Sequence, residues 1–178
     1  MQPQDGEMCD MNLTVQCPPR QTVCTFDCKF VMCSDPAEIR FSPEPRPDLF
    51  KFGGRISAAP HPLNDPSTTT VSILLENANG TVYSVDLAAG DMIATGPSSF
   101  IFENPSARLS GGVGLLKIRR SLQGPSLIVF KCYGDLSAAT LSHMKATLTI
   151  GDQEFRSEGD WRQTPMGWFG AHFERQAP

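Results

Sequence analysis

The chain has 178 residues, 15 Lys+Arg against 19 Asp+Glu for a formal charge of −4, and a 40% hydrophobic fraction. That length suits one domain of ordinary size, and the acidic balance removes the basic surface with which nucleic-acid binders displace phosphate counterions. No apolar run approaches the roughly 18 residues a membrane-spanning helix needs, while 15 Gly and 15 Pro mark a turn-rich but foldable chain.

In chain order, residues 1–47 read as an irregular arm. Five of the six cysteines fall there (Cys9, Cys17, Cys24, Cys28 and Cys33), and the sixth, Cys132, stands far downstream. Pro18, Pro19, Pro36, Pro43, Pro45 and Pro47 interrupt any long helix or central strand. Such a segment buries too little apolar surface to offset its ordering entropy, so cross-links are expected. Structural zinc would call for paired C-x2–4-C knuckles. Only Cys24-x3-Cys28 and Cys28-x4-Cys33 have that spacing, and they share Cys28. Disulfides are therefore the favoured reading. Five arm cysteines cannot all pair among themselves, and Cys132 is the available partner within the chain, although the connectivity stays open. A bridge from the arm to Cys132 would close a loop worth roughly 4–5 kcal/mol in the chain-entropy model.

Structural disulfides imply a secreted or cell-surface protein. Met1-Gln2-Pro3-Gln4-Asp5 offers neither a basic n-region nor an apolar h-region. Either an export signal has already been removed or the compartment is different. Two N-x-T sequons, at Asn12 and Asn79, matter only in a glycosylating host.

From residue 48 to 178 the texture changes to short alternating apolar stretches separated by Gly, Pro, Asn and Ser, the pattern of an all-β domain. Strands are predicted at Leu49–Ser57, Thr70–Glu76, Thr81–Leu87, Ser99–Glu103, Gly114–Arg120, Ser126–Tyr133, His143–Ile150 and Gln153–Trp161. Asn77-Ala78-Asn79-Gly80 and Gly151-Asp152 suit tight hairpin turns. In His143–Ile150, Met144, Ala146, Leu148 and Ile150 should face the core. Ser126–Tyr133 is apolar on both faces and should be the central, most buried strand. Residues Ser137–Lys145 have room for one helical turn. The fold predicted is an antiparallel β-sandwich or jelly-roll of about eight strands, with a disulfide-stapled arm.

A search for catalytic constellations yields none. His61, His143 and His172 are scattered, and neither metal-binding His spacings, a G-x-S-x-G elbow nor a phosphate loop occurs. Ser110-Gly111-Gly112-Val113-Gly114 reads as a loop or bulge. Asp152/Glu154 and Glu158/Asp160 read as exposed strand carboxylates, commoner by far than catalytic pairs. Lys117-Ile118-Arg119-Arg120 reads as a solvated edge that discourages strand pairing. The best candidate binding patch is C-terminal, where Trp161, Trp168, Phe169 and Phe173 gather. Flat rings between polar residues can stack on sugars or anchor a partner, although plugging one end of the sandwich is the simpler use.

The run Cys132-Tyr133-Gly134-Asp135-Leu136-Ser137-Ala138, the strand ending Ile150-Gly151-Asp152, and the close Trp161-Arg162-Gln163-Thr164 with Gly167-Trp168 resemble uncharacterised exported bacterial proteins that carry a β-rich domain beside a cysteine-rich segment. The similarity covers roughly residues 48–170. That group has no assigned activity, so the resemblance implies an extracellular β domain and no catalytic residue. The function expected is a non-enzymatic extracellular structural or assembly subunit without a cofactor or metal. Its partner would be another copy or another surface protein, met through the arm by strand addition or an intermolecular disulfide. A carbohydrate- or ligand-binding module is the alternative.

Overall fold

A computed structural model describes residues 30–31, 33–56, 62–121 and 125–170, with backbone alone at positions 30, 31 and 33–35. Thirteen strands and one helical turn follow one another in chain order. They are β1 (Phe30–Val31), β2 (Cys33–Arg40), β3 (Asp48–Ile56), β4 (Val71–Asn77), β5 (Gly80–Leu87), β6 (Ile93–Gly96) and β7 (Ser99–Glu103), then α1 (Ala107–Ser110). The series continues with β8 (Gly112–Arg119), β9 (Ser126–Gly134), β10 (His143–Ile150), β11 (Gln153–Asp160), β12 (Arg162–Thr164) and β13 (Gly167–Gly170). The chain is all-β in two sheets. The smaller has the order β1-β11-β10-β4-β5, the larger β12-β13-β2-β3-β9-β8-β7-β6. Every pairing is antiparallel except the two-residue contact of β1 with β11.

Each predicted strand is present, with ends shifted by no more than two residues. The turns explain the registers. Gly80, at φ +115°, closes β4–β5, and Gly151, at φ +62°, closes β10–β11, both in backbone that a side chain disfavours. Asn64 wraps the second turn, its Nδ2 donating to the Ile150 carbonyl at 2.9 Å and to Asp152 Oδ1 at 2.6 Å.

Five strands fall where sequence predicted none, the two-residue β1 among them. β2 lies within residues read as arm, yet it pairs with β3 on one side and β13 on the other. β2 is thus part of the larger sheet although it falls within the residues read as arm. Pro36 is tolerated because it lies in the register break between Ser34 and Ala37, where the ladder needs no N–H from it. β6, β12 and β13 are only three or four residues long, too short for alternation to stand out. Gly167, at φ +146°, lets β13 approach β2 so closely that a Cβ there would collide with the main-chain oxygen of Ile39. Among the described residues the one helical turn is α1, while residues 137–145 are turn and strand.

The two sheets share one hydrophobic core. Phe130 stacks on Phe52 at 5.1 Å between ring centroids and meets Phe50 edge-on at the same distance. Phe50 in turn touches Tyr83 of the smaller sheet at 6.4 Å. Met144, Ala146, Leu148 and Ile150 are buried as alternation predicts. β9 is a central strand between β3 and β8, but it is buried on one face only: Leu127 and Val129 are 41% and 38% exposed. Its double-sided apolar pattern thus marks an open surface rather than a fully enclosed strand.

Candidate functional site

Trp161 and Trp168 are not part of an exposed patch. Trp161 and Trp168 are only 8% and 7% exposed. Trp168 Nε1–H donates to the Ala139 carbonyl at 2.6 Å, and Trp161 lies against Phe50 with centroids 6.3 Å apart. Both indoles close the core, so their flat faces are unavailable to a sugar ring. Phe169 points to the outer side of β13 and is half-buried, whereas Phe173 lies outside the described residues.

Of the six cysteines, Cys9, Cys17, Cys24 and Cys28 lie outside the described residues, and Cys33 is described by its backbone alone. Cys132 carries a free thiol, fully buried on the inner face of β9. Burial pushes its ionisation well above the ordinary thiol range, and the neighbouring Tyr83 hydroxyl is raised likewise by burial. The bridge from the arm to Cys132 is therefore not formed here. Its inward side chain packs against the ring cluster and not toward the surface.

The outer face of the larger sheet is the most distinctive surface. Residues paired across neighbouring strands share a face, so the registers assemble it row by row. One row runs Arg162, Phe169, Glu38 and Lys51, then Lys131, Leu115 and Glu103. The next carries Gly53, Val129, Lys117, Ile101 and Ile93, and the third Arg55, Leu127 and Arg119. On the opposite flank Arg40 neighbours Leu49. Among the described side chains this face holds seven cations against two anions. Glu38 and Glu103 each pair with one cation, Arg40 at 2.6 Å and Lys117 at 3.4 Å. Between the charges Leu127, Val129 and the 65% exposed Ile93 stand open.

The basic run Lys117-Ile118-Arg119-Arg120 thus divides. Lys117 and Arg119 belong to this face, and β8 is an interior strand, so the reading of a protective sheet edge is corrected. Arg120 lies beyond the strand end, over the Phe100 ring at 5.0 Å and 3.5 Å from Asp65.

The outer face of the smaller sheet has the opposite sign. Its rows read Asp160 and His143, then Glu158, Lys145 and Glu76. Next come Arg156, Thr147, Leu74 and Ser84, and finally Glu154, Thr149, Ser72 and Asp86. Five carboxylates here meet two permanent cations. Lys145 pairs with Glu76 at 2.7 Å and Arg156 with Glu154 at 3.2 Å. His143 bridges two carboxylates, its Nε2 3.0 Å from Glu158 and its Nδ1 3.0 Å from Asp160. The hydrogen bonds to Glu158 and Asp160 raise its ionisation above the ordinary 6.5. Its two ring nitrogens serve different carboxylates, and among the described residues no three His, Cys, Asp or Glu side chains converge as a metal site.

The carboxylate pair Glu158/Asp160 was legible as two acids on one strand face. What brings them to His143 is the β10–β11 register set by the Gly151-Asp152 turn. The basic face is harder to read, because it is assembled from strands far apart in sequence. Among the described residues no helix is long and apolar enough to cross a membrane. In comparisons with known proteins, no family model, no curated protein and no solved structure matches the chain.

Proposed function

We propose that this chain is a non-enzymatic β-sandwich module of an extracellular or cell-surface structural protein, working by docking through the outer face of its larger sheet. One observation carries the reading. On a chain of formal charge −4, that face gathers seven cations against two anions around exposed aliphatic side chains. Covering the aliphatics supplies affinity, and the cations steer and orient an acidic partner.

The cysteine count agrees with assembly outside the cytosol. With Cys132 sealed in the core, the remaining five cysteines are an odd number. Pairing among themselves leaves one for a neighbouring chain, the arm's proposed contact. A carbohydrate-binding role through the C-terminal aromatics loses its support with the burial of Trp161 and Trp168.

The test is a Lys117→Glu/Arg119→Glu double variant, compared with the unmodified chain for self-association by sedimentation velocity and for retention on a heparin column. The reading requires that at least one of these be salt-sensitive and be lost in the variant. If both are unchanged, the face is not a docking surface.

A further inference from the structure

We propose, resting on that reading, that the occupant of the basic face is the acidic outer face of the smaller sheet in a second copy of this chain. Copies would stack sheet on sheet in one direction.

The argument is complementarity between two faces of one molecule. The basic face presents Lys51, Lys131, Lys117 and Arg119 around Val129 and Leu127. The acidic face presents Glu76, Asp86, Glu158 and Asp160 around the half-buried Leu74. Glu154 is paired with Arg156, as Glu76 is with Lys145. Each face therefore carries a net charge around a less charged middle, and the two net charges are opposite in sign. Two copies of either face alone would repel, which excludes a two-fold dimer through one face and favours a heterologous contact. Because a pair keeps one unused face of each sign, such a contact adds further copies. It produces an open row unless rotation closes a ring. The aliphatic middle of the basic face favours this occupant over a polyanionic polymer, which offers charge but no matching apolar surface.

The faces predict how salt and substitution act. Exposed charges are screened over about 10 Å at 0.1 M salt, so self-association of the full chain should weaken roughly tenfold or more as ionic strength rises. The deciding experiment uses three samples in sedimentation velocity at low salt, with circular dichroism to verify folding. Lys117→Glu/Arg119→Glu removes most of the larger face's excess of cations, and Glu158→Lys/Asp160→Lys leaves the smaller sheet's face with more cations than anions. Each variant alone should stay monomeric. An equimolar mixture should associate again as unlike pairs, because the unchanged acidic face of the first variant meets the unchanged basic face of the second.

If Glu158→Lys/Asp160→Lys alone associates as the unmodified chain does, the acidic face is not the occupant and this proposal falls, while the docking role of the basic face survives. If the unmodified chain is monomeric but is retained on heparin until Lys117 and Arg119 are reversed, a polyanion is the partner. The proposal then falls in the same way. If the chain neither associates nor binds heparin, both readings fall. Should either double variant misfold, Lys131→Glu and Asp86→Lys provide the same sign reversals at other positions on the two faces.

Discussion

Trp168 and Ala139 are joined by a 2.6 Å hydrogen bond from the indole Nε1–H to the main-chain carbonyl. The bond fastens β13 to the loop after β9, and it explains why Trp168 is interior. A buried indole needs one partner for its N–H, and this loop supplies it. The loop is held in turn by Asp48, which accepts from the Leu136 amide at 3.1 Å, and by Asn77, which donates to Ala138 at 2.8 Å. Trp168→Phe keeps most of the ring area but leaves that carbonyl without its donor. It should cost about 1–3 kcal/mol, read as a lower denaturant midpoint at unchanged slope.

The stacked and edge-on contacts of Phe130 make it the centre of the ring cluster. Phe130→Ala opens a cavity between Phe50 and Phe52 and should cost about 3–5 kcal/mol. On the same strand, Val129→Ala removes a side chain that is 38% exposed and should cost less than about 1 kcal/mol. Equal losses at the two positions in chemical denaturation would mean that β9 is enclosed on both faces.

Cys132 should behave as an inert core thiol. Its burial raises the ionisation well above neutrality, and the thiolate is the reactive form. Treating the native protein with iodoacetamide and mapping peptides by mass spectrometry should leave Cys132 unlabelled until denaturant is added. Rapid native labelling, or recovery of Cys132 in a disulfide-linked peptide, would contradict the inward placement.

His143 should report its two carboxylates through pH. Its folded ionisation lies above 6.5 because Glu158 and Asp160 accept from the charged ring. The stabilisation is therefore fully present below 6.5 and is lost as pH rises through the raised folded value. About half the side chain is exposed, so solvent screening keeps the effect small. Following the ring proton by NMR should give a midpoint above 6.5, and Glu158→Gln should move it downward. A midpoint unmoved by that substitution would show that the bridge does not form in solution.

Much of the β body was readable before any coordinates. The alternation in His143–Ile150 decided which side chains turn inward, since successive residues on a strand face opposite ways. The Gly151-Asp152 turn set the register that opposes His143 to Asp160. Alternation and turn chemistry are local, and local patterns survive in a linear chain. The segment Cys33–Arg40 escaped because Pro36 and its polar neighbours argue against a strand, whereas a register break and two flanking strands accommodate them.

The sequence by itself determined the all-β class, eight of the strands, the hairpin turns and the inward side of the regular strands. Only the tertiary structure decided that Trp161 and Trp168 are core, that Cys132 is sealed, and that the two sheets expose faces of opposite sign. Those outcomes depend on which strands lie side by side. Neighbours such as β2 and β13, or β3 and β9, are far apart in the chain, and their pairing is settled by burying one common core rather than by any short run of residues.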